Sequence, residues 1–306
     1  MKIYFLEAEC EVVRPVNFRD FRNANYIRGA WYDYLVGEVL PADHPIIQNQ
    51  SQVRPYALRF IPPRDNNHTK TYFGLTLFGE SLVPYAINSL AGFSARVGKS
   101  RDGQIEVTSI YEKKLVRSFA RVLFDKSSWT VTPAITGVTL DEIRHFAANY
   151  IVPNIKRNNM EFQVRFLTPT HMKHKGVPMT GETLDYKAML YLIMTRWNNL
   201  ASLYGDESDI IPEEEFDRVL PAATNGLTEV GRSENKDKPE WCVVRGYSSR
   251  SKRPTYMDGI LGTVNLKADS PETLETVIPY LFLGQLIQVG NNTAKGNGVY
   301  NLYWSY

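Results

Sequence analysis

The sequence predicts an α+β protein made of two similar βαββαβ units, and three observations support this fold class. The order strand, helix, strand, strand, helix, strand is seen in the first third of the chain and again in its last half. Val83-Pro84-Tyr85 in one predicted helix has a counterpart, Ile278-Pro279-Tyr280, in another, and a Val-Gly pair follows each of these helices. Matches in the same order at the same structural point indicate tandem ferredoxin-like (RRM-like) units.

The elements of the first unit are assigned from periodicity and from start and stop signals. The strand "MKIYFLEAECEVV" is followed by a helix that Asn17 can cap and that ends near Val36, before Pro41. The strands "RPYALRF" and "KTYFGLTLFG", the helix "SLVPYAINSLAGF" and the strand "QIEVTSIYE" complete the unit. Residues 1–112 are therefore assigned to an N-terminal ferredoxin-like domain.

The second unit, residues 159–306, repeats this order. It begins with the strand "MEFQVRFLT" and the amphipathic helix "TLDYKAMLYLIMTRWNNLASLY". The strands "PEWCVVRGYS" and "GILGTVNLK" come next, then a helix whose start Ser270 and Pro271 signal, and finally the strand "GVYNLYW". Residues 113–158 have no counterpart in the repeat and are assigned to an inserted or linking segment.

The composition indicates a globular protein of a reducing compartment. The apolar fraction is 43%, and no apolar run is long enough to span a bilayer. Glu7 and Glu9 interrupt the apolar stretch that an export signal needs, while Cys10 and Cys242 are too few for a disulfide framework or a zinc site. We therefore expect a cytoplasmic protein with no metal and no membrane partner.

Three basic segments carry cations without an acidic residue, although the net charge is only +2. They are "THMKHKG", "RGYSSRSKRP" and "KKLVRSFAR". Such runs are often no more than solvated faces, but in a chain with 18 tyrosines they also favour RNA binding. From the first two we predict these RNA-binding cations: Lys173, Lys175, Arg245, Arg250, Lys252 and Arg253.

A glycine-rich loop, "VGNNTAKGNGVY", joins the last predicted helix to the final strand. Its glycine spacing fits neither a P-loop nor a dinucleotide fingerprint, so no nucleotide cofactor is expected. Glycines let backbone N–H groups approach an anion closely, although a turn that needs positive φ would also require them. We predict that this loop lies against RNA backbone through Gly290, Asn291, Asn292, Thr293, Lys295, Gly296 and Gly298.

Four stretches of the chain resemble the RAMP superfamily of CRISPR proteins, and among them most closely the endoribonuclease that processes precursor CRISPR RNA. They are "YIRGAWYDYL", "DHPIIQNQSQVRPYALRF", "FLTPTHMKHKG" with "RWNNLASLYG", and the strand–helix–loop pattern across 259–300 that contains "YLFLGQLIQVG" and the glycine-rich loop. The resemblance covers most of the chain except residues near 113–158.

The resemblance implies metal-independent cleavage of repeat RNA by attack of a 2′-hydroxyl on the adjacent phosphate. The products would end in a 2′,3′-cyclic phosphate and a 5′-hydroxyl. Its partners would be CRISPR repeat RNA, the mature crRNA and other Cas proteins of an effector complex. His44 stands at the family's catalytic histidine, and Arg54 stands where the family often has a cation, more usually Lys.

The residues themselves suit this chemistry, which needs proton transfer and positive charge at the phosphorane. A histidine titrates near neutral pH, and an arginine can neutralise developing charge. Tyr32 falls off the predicted buried face of its helix, four residues after Arg28, and can reach a ligand or remain a surface tyrosine. We assign Tyr32, His44 and Arg54 as the catalytic site, with His171 and His174 as reserves.

Other interpretations of the same sequence stay open. The chain can be a non-catalytic RNA-binding subunit of a CRISPR effector complex; a protein-only scaffold is disfavoured by the glycine-rich loop together with the basic runs. His171 and His174 have no nearby acid or cysteine to complete a metal site. The acidic residues Glu213–Glu215 and Asp217 follow Pro212 and indicate the first turns of a solvated helix rather than a nuclease cluster.

Overall fold

The chain forms two compact units in a computed structural model. The first unit consists of residues 1–138 together with 294–296, and the second of residues 139–293 together with 297–306. The structure describes residues 1–15, 21–48, 53–61, 69–97, 103–115, 120–128, 130–131, 135–230, 239–248 and 253–304.

The first unit is built on an antiparallel sheet. Its strands are β1 (Ile3–Arg14), β2 (Tyr56–Arg59), β3 (Lys70–Phe78), β4 (Ser94–Val97), β5 (Gly103–Lys113), β6 (Ala120–Asp125) and β7 (Thr130–Val131). They lie in the order β2-β3-β1-β5-β6-β7, and β4 also pairs with β5. The segment β2-β3-β1-β5 has the strand order of a ferredoxin-like unit, so the predicted fold of this half is confirmed.

Helices α1 (Arg22–Tyr34), α2 (Pro45–Gln48) and α3 (Val83–Ala91) complete the first unit. The predicted cap, Asn17, lies outside the described residues, and α1 continues through a π-helical turn to Val39, beyond the predicted end at Val36. The predicted buried face is confirmed, since Ile27, Trp31 and Leu35 are fully buried, with Ala30 and Tyr34 half-buried beside them.

One buried hydrogen bond fixes the rotation of α1. The indole Nε1 of Trp31 donates to Oγ of Ser89 on α3, at 2.8 Å. Both side chains are buried, and a buried polar group without a partner is costly, so this bond favours one orientation of the helix. With Trp31 held inward, the next residue, Tyr32, is turned toward the side of the helix.

The second unit has the same arrangement of strands. They are β8 (Glu161–Thr170), β9 (Lys173–His174), β10 (Val177–Pro178), β11 (Leu227–Glu229), β12 (Glu240–Cys242), β13 (Arg245–Ser248), β14 (Arg253–Tyr256), β15 (Gly259–Ala268) and β16 (Tyr300–Tyr303). The main sheet has the order β11-β15-β8-β16, with β12 also on β15. The predicted strand "PEWCVVRGYS" is therefore two strands, because β12 pairs with β15 while β13 pairs with β14 in a separate hairpin.

The helices of the second unit start close to where the sequence places them. They are α4 (Leu140–Phe146), α5 (Val152–Arg157), α6 (Tyr186–Tyr204), α7 (Glu213–Gly226) and α8 (Pro271–Ile287), with a π-helical turn, Ala147–Ile151, between α4 and α5. The predicted cap of α8 is confirmed, since Oγ of Ser270 accepts a 3.2 Å hydrogen bond from the backbone N–H of Thr273.

Residues 113–158 divide between the two units. Strands β6 and β7 extend the sheet of the first unit through the pairing of β6 with β5. Helix α4 packs against α8 in the second unit. That these residues were inserted between two repeats stays a prediction.

Candidate active site

Tyr32 lies at the edge of the core of the first unit. Its side chain is half-buried, and its ring centroid is 6.2 Å from that of Tyr56 on β2. Tyr56 in turn packs edge-on against Trp31 at 5.1 Å. Burial raises the pKa of Tyr56, so its phenol stays protonated, although the nearby charges of Arg28 and Arg54 act in the opposite direction. Tyr32 thus packs against Tyr56, which itself packs against Trp31, while part of the Tyr32 side chain remains accessible.

Two guanidinium groups lie over the Tyr32 ring. The Cζ atom of Arg28 is 4.9 Å from the ring centroid, and that of Arg54 is 5.3 Å away. Both distances are within the range of a cation–π interaction. Arg28 sits one helical turn before Tyr32, whereas Arg54 comes from the segment that leads into β2. From the sequence, Arg28 is notable only for its position four residues before Tyr32, and no role is predicted for it.

His44 and Arg54 share one backbone partner. The N–H of Ile46 donates to Nδ1 of His44 at 3.3 Å, and the carbonyl of Ile46 accepts from Nη1 of Arg54 at 3.1 Å. Arg54 also contacts Tyr32, so it links the three residues that the sequence assigns to catalysis. These residues therefore belong to one continuous group in the first unit.

The His44 ring is half-buried and packs edge-on against Tyr85 of α3, with ring centroids 5.4 Å apart. Burial lowers the pKa of His44, and the carboxylate of Asp43 opposes this effect. The ring is therefore neutral at pH 7. Since Nδ1 accepts from Ile46, the neutral ring carries its proton on Nε2. The 3.3 Å bond is long, so little is lost when the ring takes the other tautomer, whose Nε2 can accept a proton.

The glycines of the loop before β16 are required by its backbone. Gly290, Gly296 and Gly298 all have positive φ, at +83°, +93° and +79°. A Cβ at Gly298 would lie 2.1 Å from the carbonyl oxygen of Val289, and one at Gly290 would lie 2.4 Å from that of His171. The positive φ angles of the turn are therefore sufficient to explain these glycines, and no contact with RNA is needed to explain them.

The polar residues of the loop differ in accessibility. Asn291 is exposed and Asn292 is half-buried, whereas Thr293 is only 6% exposed and therefore offers little side-chain surface to a ligand. Lys295 is half-buried within the first unit, and burial together with the charge of Arg28 lowers its pKa. Lys295 therefore lies near Arg28, which its sequence position does not reveal. RNA contacts by the loop stay a prediction.

Those predicted RNA-binding cations of the second unit that the structure describes lie on two hairpins. Lys173 and Lys175 are exposed on the β9–β10 hairpin, where Lys175 and Gly176 have φ of +50° and +85° and form the two-residue turn. Arg245 is exposed at the start of β13. Arg250 and Lys252, and the side chain of Arg253, lie outside the described residues.

The two reserve histidines have separate surroundings. The His171 ring packs 5.4 Å from that of Trp241, and its carbonyl accepts a 2.9 Å hydrogen bond from the N–H of Asn291. His174 lies 3.9 Å from the carboxylate of Asp185. Across the described parts of the chain, no group of three or more His, Cys, Asp or Glu side chains is arranged to hold a metal ion.

Removal of the Lys173 and Lys175 charges should weaken binding to every RNA tested. Each phosphate contact to a single strand contributes about 0.7 to the slope of log K against log salt, so Lys173→Gln with Lys175→Gln should lower the slope by roughly 1.4. Fluorescence anisotropy at several salt concentrations measures this slope. The control is Lys187→Gln, an exposed lysine of α6. An unchanged slope in the double variant would show that the hairpin is only a solvated surface.

Known structures share the fold of this chain. A Cas6 product complex matches with a TM-score of 0.58 at 17% identity, over 98% of both chains. Thermus thermophilus Cas6 matches with a TM-score of 0.57 at 14% identity, also over 98% of both. A partial Cas6-RT-Cas1–Cas2 complex gives 0.59 at 12% identity, over 99% of this chain and 46% of that one.

The family is indicated by the sequence of the second half. Residues 164–300 match the family model of the CRISPR-associated endoribonuclease Cas6. The resemblance seen in the sequence is thereby confirmed for these residues. No match was found among curated protein sequences. None of the helices in the described residues is long and apolar enough to cross a bilayer.

Proposed function

We propose that this protein is a metal-independent endoribonuclease that binds CRISPR repeat RNA and cuts the precursor to give mature crRNA. The observation that carries this proposal is the group formed by Tyr32, His44 and Arg54, which Ile46 and the Tyr32 ring hold together in the first unit. The Cas6 family match of residues 164–300 supplies the substrate class.

In the proposed reaction, Nε2 of His44 accepts the proton of the 2′-hydroxyl, and the 2′-oxygen attacks the adjacent phosphorus. The bond from phosphorus to the 5′-oxygen breaks, and the Tyr32 hydroxyl donates a proton to that oxygen. The guanidinium of Arg54 stabilises the charge that develops on the phosphorane. The products are a 2′,3′-cyclic phosphate and a 5′-hydroxyl. Afterwards His44 releases its extra proton to solvent, and Tyr32 takes a proton back from solvent.

Labelled repeat RNA incubated with the protein in EDTA tests this proposal. We expect cleavage at one site, a product end that resists phosphatase until acid opens the cyclic phosphate, and no cleavage when the nucleotide before the cut carries a 2′-deoxyribose. RNA that is retained but never cut would identify the alternative, a non-catalytic RNA-binding subunit. Cleavage that requires a divalent cation would overturn the mechanism.

The acidic side of the pH–rate profile should report His44. Its pKa is lowered by burial, so the base form persists below pH 6.5, and the rate should fall only as the pH drops through that lowered value. Single-turnover rates between pH 4.5 and 8, on an RNA chosen to bind throughout this range, measure the profile (range set by the ordinary histidine pKa of about 6.5). A rate that rises as the pH drops would assign His44 to acid catalysis instead.

The proposed partners follow from the same comparisons. We expect the protein to bind repeat RNA and its crRNA product, and the likeness to a Cas6-RT-Cas1–Cas2 complex supports assembly with other Cas proteins. A cytoplasmic location is part of the proposal, since both cysteines, Cys10 and Cys242, are free thiols.

A further inference from the structure

Arg28 and Arg54 lie beside Tyr32 in the first unit, and Lys295 lies near Arg28. Of these three cations, only Arg54 has a role in the mechanism above. Arg28 comes from α1, and its guanidinium carbon lies 4.9 Å from the Tyr32 ring centroid. Lys295 comes from the tip of the glycine-rich loop and lies close enough to Arg28 for the two charges to interact. We refer to Arg28, Arg54 and Lys295 as the cation cluster.

The cation cluster has no acidic counterpart among the residues that the structure describes. Other cations of the first unit do: Lys113 lies 2.7 Å from Glu7, and Lys126 lies 3.0 Å from Glu106. The Nε atom of Arg28 is buried and makes no hydrogen bond to any described residue. Partly buried like charges repel one another, and an unsatisfied buried donor is costly. An anion bound from solution would therefore satisfy both the charge of the cluster and the buried donor of Arg28.

The backbone of the glycine-rich loop is adapted to bring Lys295 to this place. Gly296 has φ of +93°, and a Cβ there would lie 2.6 Å from Cβ of Ala24. Ala24 is one helical turn before Arg28 on α1, so the loop packs directly beside the helix face that carries Arg28. A side chain at position 296 would push Lys295 away from Arg28.

We propose that Arg28, Arg54 and Lys295 together form one anion site that holds the phosphodiester group at which the RNA is cut. Arginine forks match the paired non-bridging oxygens of a phosphate, and three cations suit a group that gains a second negative charge at the phosphorane. Arg28 and Lys295 thus join the site as phosphate-binding residues. This inference rests on the proposed function, because it names the substrate group that the same site takes.

A chemical double-mutant cycle on the full chain tests the inference without any cleavage. The probe is repeat RNA with 2′-deoxyribose at the cut nucleotide, in which single phosphodiester linkages are replaced in turn by neutral methylphosphonates. Arg28→Met or Lys295→Met should weaken binding of the unmodified probe about 10-fold or more. The wild-type protein should lose a similar factor of about 10 when the probe carries the methylphosphonate at the cut linkage. In either variant, the methylphosphonate at the cut linkage should weaken binding less than it does in the wild type, because the variant has already lost one contact to that phosphate.

Controls separate this result from general electrostatics and from misfolding. Arg96→Met removes an exposed cation from β4 of the same unit, and its effect should multiply with that of every methylphosphonate. Arg28→Lys keeps a charge and should regain part of the affinity. Thermal melting identifies a variant that fails to fold. Arg28 and Lys295 belong to different segments, so if one variant fails to fold, the other is sufficient for the cycle.

The outcomes distinguish the inference from the proposed function. The inference would be overturned if, in both variants, the methylphosphonate at the cut linkage weakens binding by the same factor as in the wild type. It would also be overturned if the variants reduce the effect of a methylphosphonate at a different linkage. Either result would count even if the RNA is cut. If the wild-type protein cuts no RNA, the proposed function fails, and the cycle is run over every linkage. If the variants reduce the effect of a methylphosphonate at one linkage, the anion site is still established. If they do so at no linkage, the proposal of an anion site is wrong.

Discussion

His44→Ala should slow single-turnover cleavage by roughly 10²–10⁴-fold while the affinity for RNA changes little. The alanine removes the ring that accepts the 2′-hydroxyl proton, but it leaves the cations that bind phosphate in place. Among the described residues, the same change removes the edge-on contact with Tyr85 and the long hydrogen bond from Ile46, so the first unit should stay folded. Rates at saturating protein, with binding measured on 2′-deoxy RNA, separate the two effects.

A second histidine substitution serves as the matched control. His145 is exposed on α4, and His145→Ala should cut at the wild-type rate. If His44→Ala also cuts at that rate, the assignment of the base is wrong, and the reserves His171 and His174 are tested next. Loss of RNA affinity in His44→Ala would instead make the ring a binding group.

Gly298→Ala should destabilise the second unit more than any other single change proposed for the glycine-rich loop. The new Cβ would lie 2.1 Å from the carbonyl oxygen of Val289, at a φ of +79°. Strain of that kind and an overpacked site together cost roughly 2–5 kcal/mol. For a unit of this size, the melting temperature should fall by about 5 °C or more. Differential scanning calorimetry on the full chain measures this shift.

Gly176→Ala separates the clash from the backbone conformation. Gly176 has a similar φ of +85°, but a Cβ there meets nothing within 4 Å. Its substitution should cost only about 1 kcal/mol, the strain of the left-handed backbone. Equal losses at the two positions would show that the Val289 contact relaxes freely. Because Gly298→Ala strains the fold, exposed Asn291 is the better position at which to test RNA contact by the loop.

Local patterns in the sequence were sufficient to predict several of the elements and the order of the two units. The period of the apolar residues placed Ile27, Trp31 and Leu35 on the buried face of α1, and Ser270 marked the start of α8. The repeated order of elements gave the ferredoxin-like pair, since strand order in such a unit follows from its connections. The division of "PEWCVVRGYS" into β12 and β13 was missed, because a strand ends where its distant partner ends, and the sequence does not show that partner.

The two-unit α+β fold and the position of the glycine-rich loop could be predicted from the sequence. So could three residues that the structure brings into one group, Tyr32, His44 and Arg54. These predictions rest on periodicity, turn chemistry and resemblance, all of which can be recognised in the sequence. The tertiary structure was needed to show that Lys295 lies near Arg28, because the two residues come from opposite ends of the sequence. Their proximity depends on packing of Gly296 against Ala24, a contact between distant segments that no local pattern encodes.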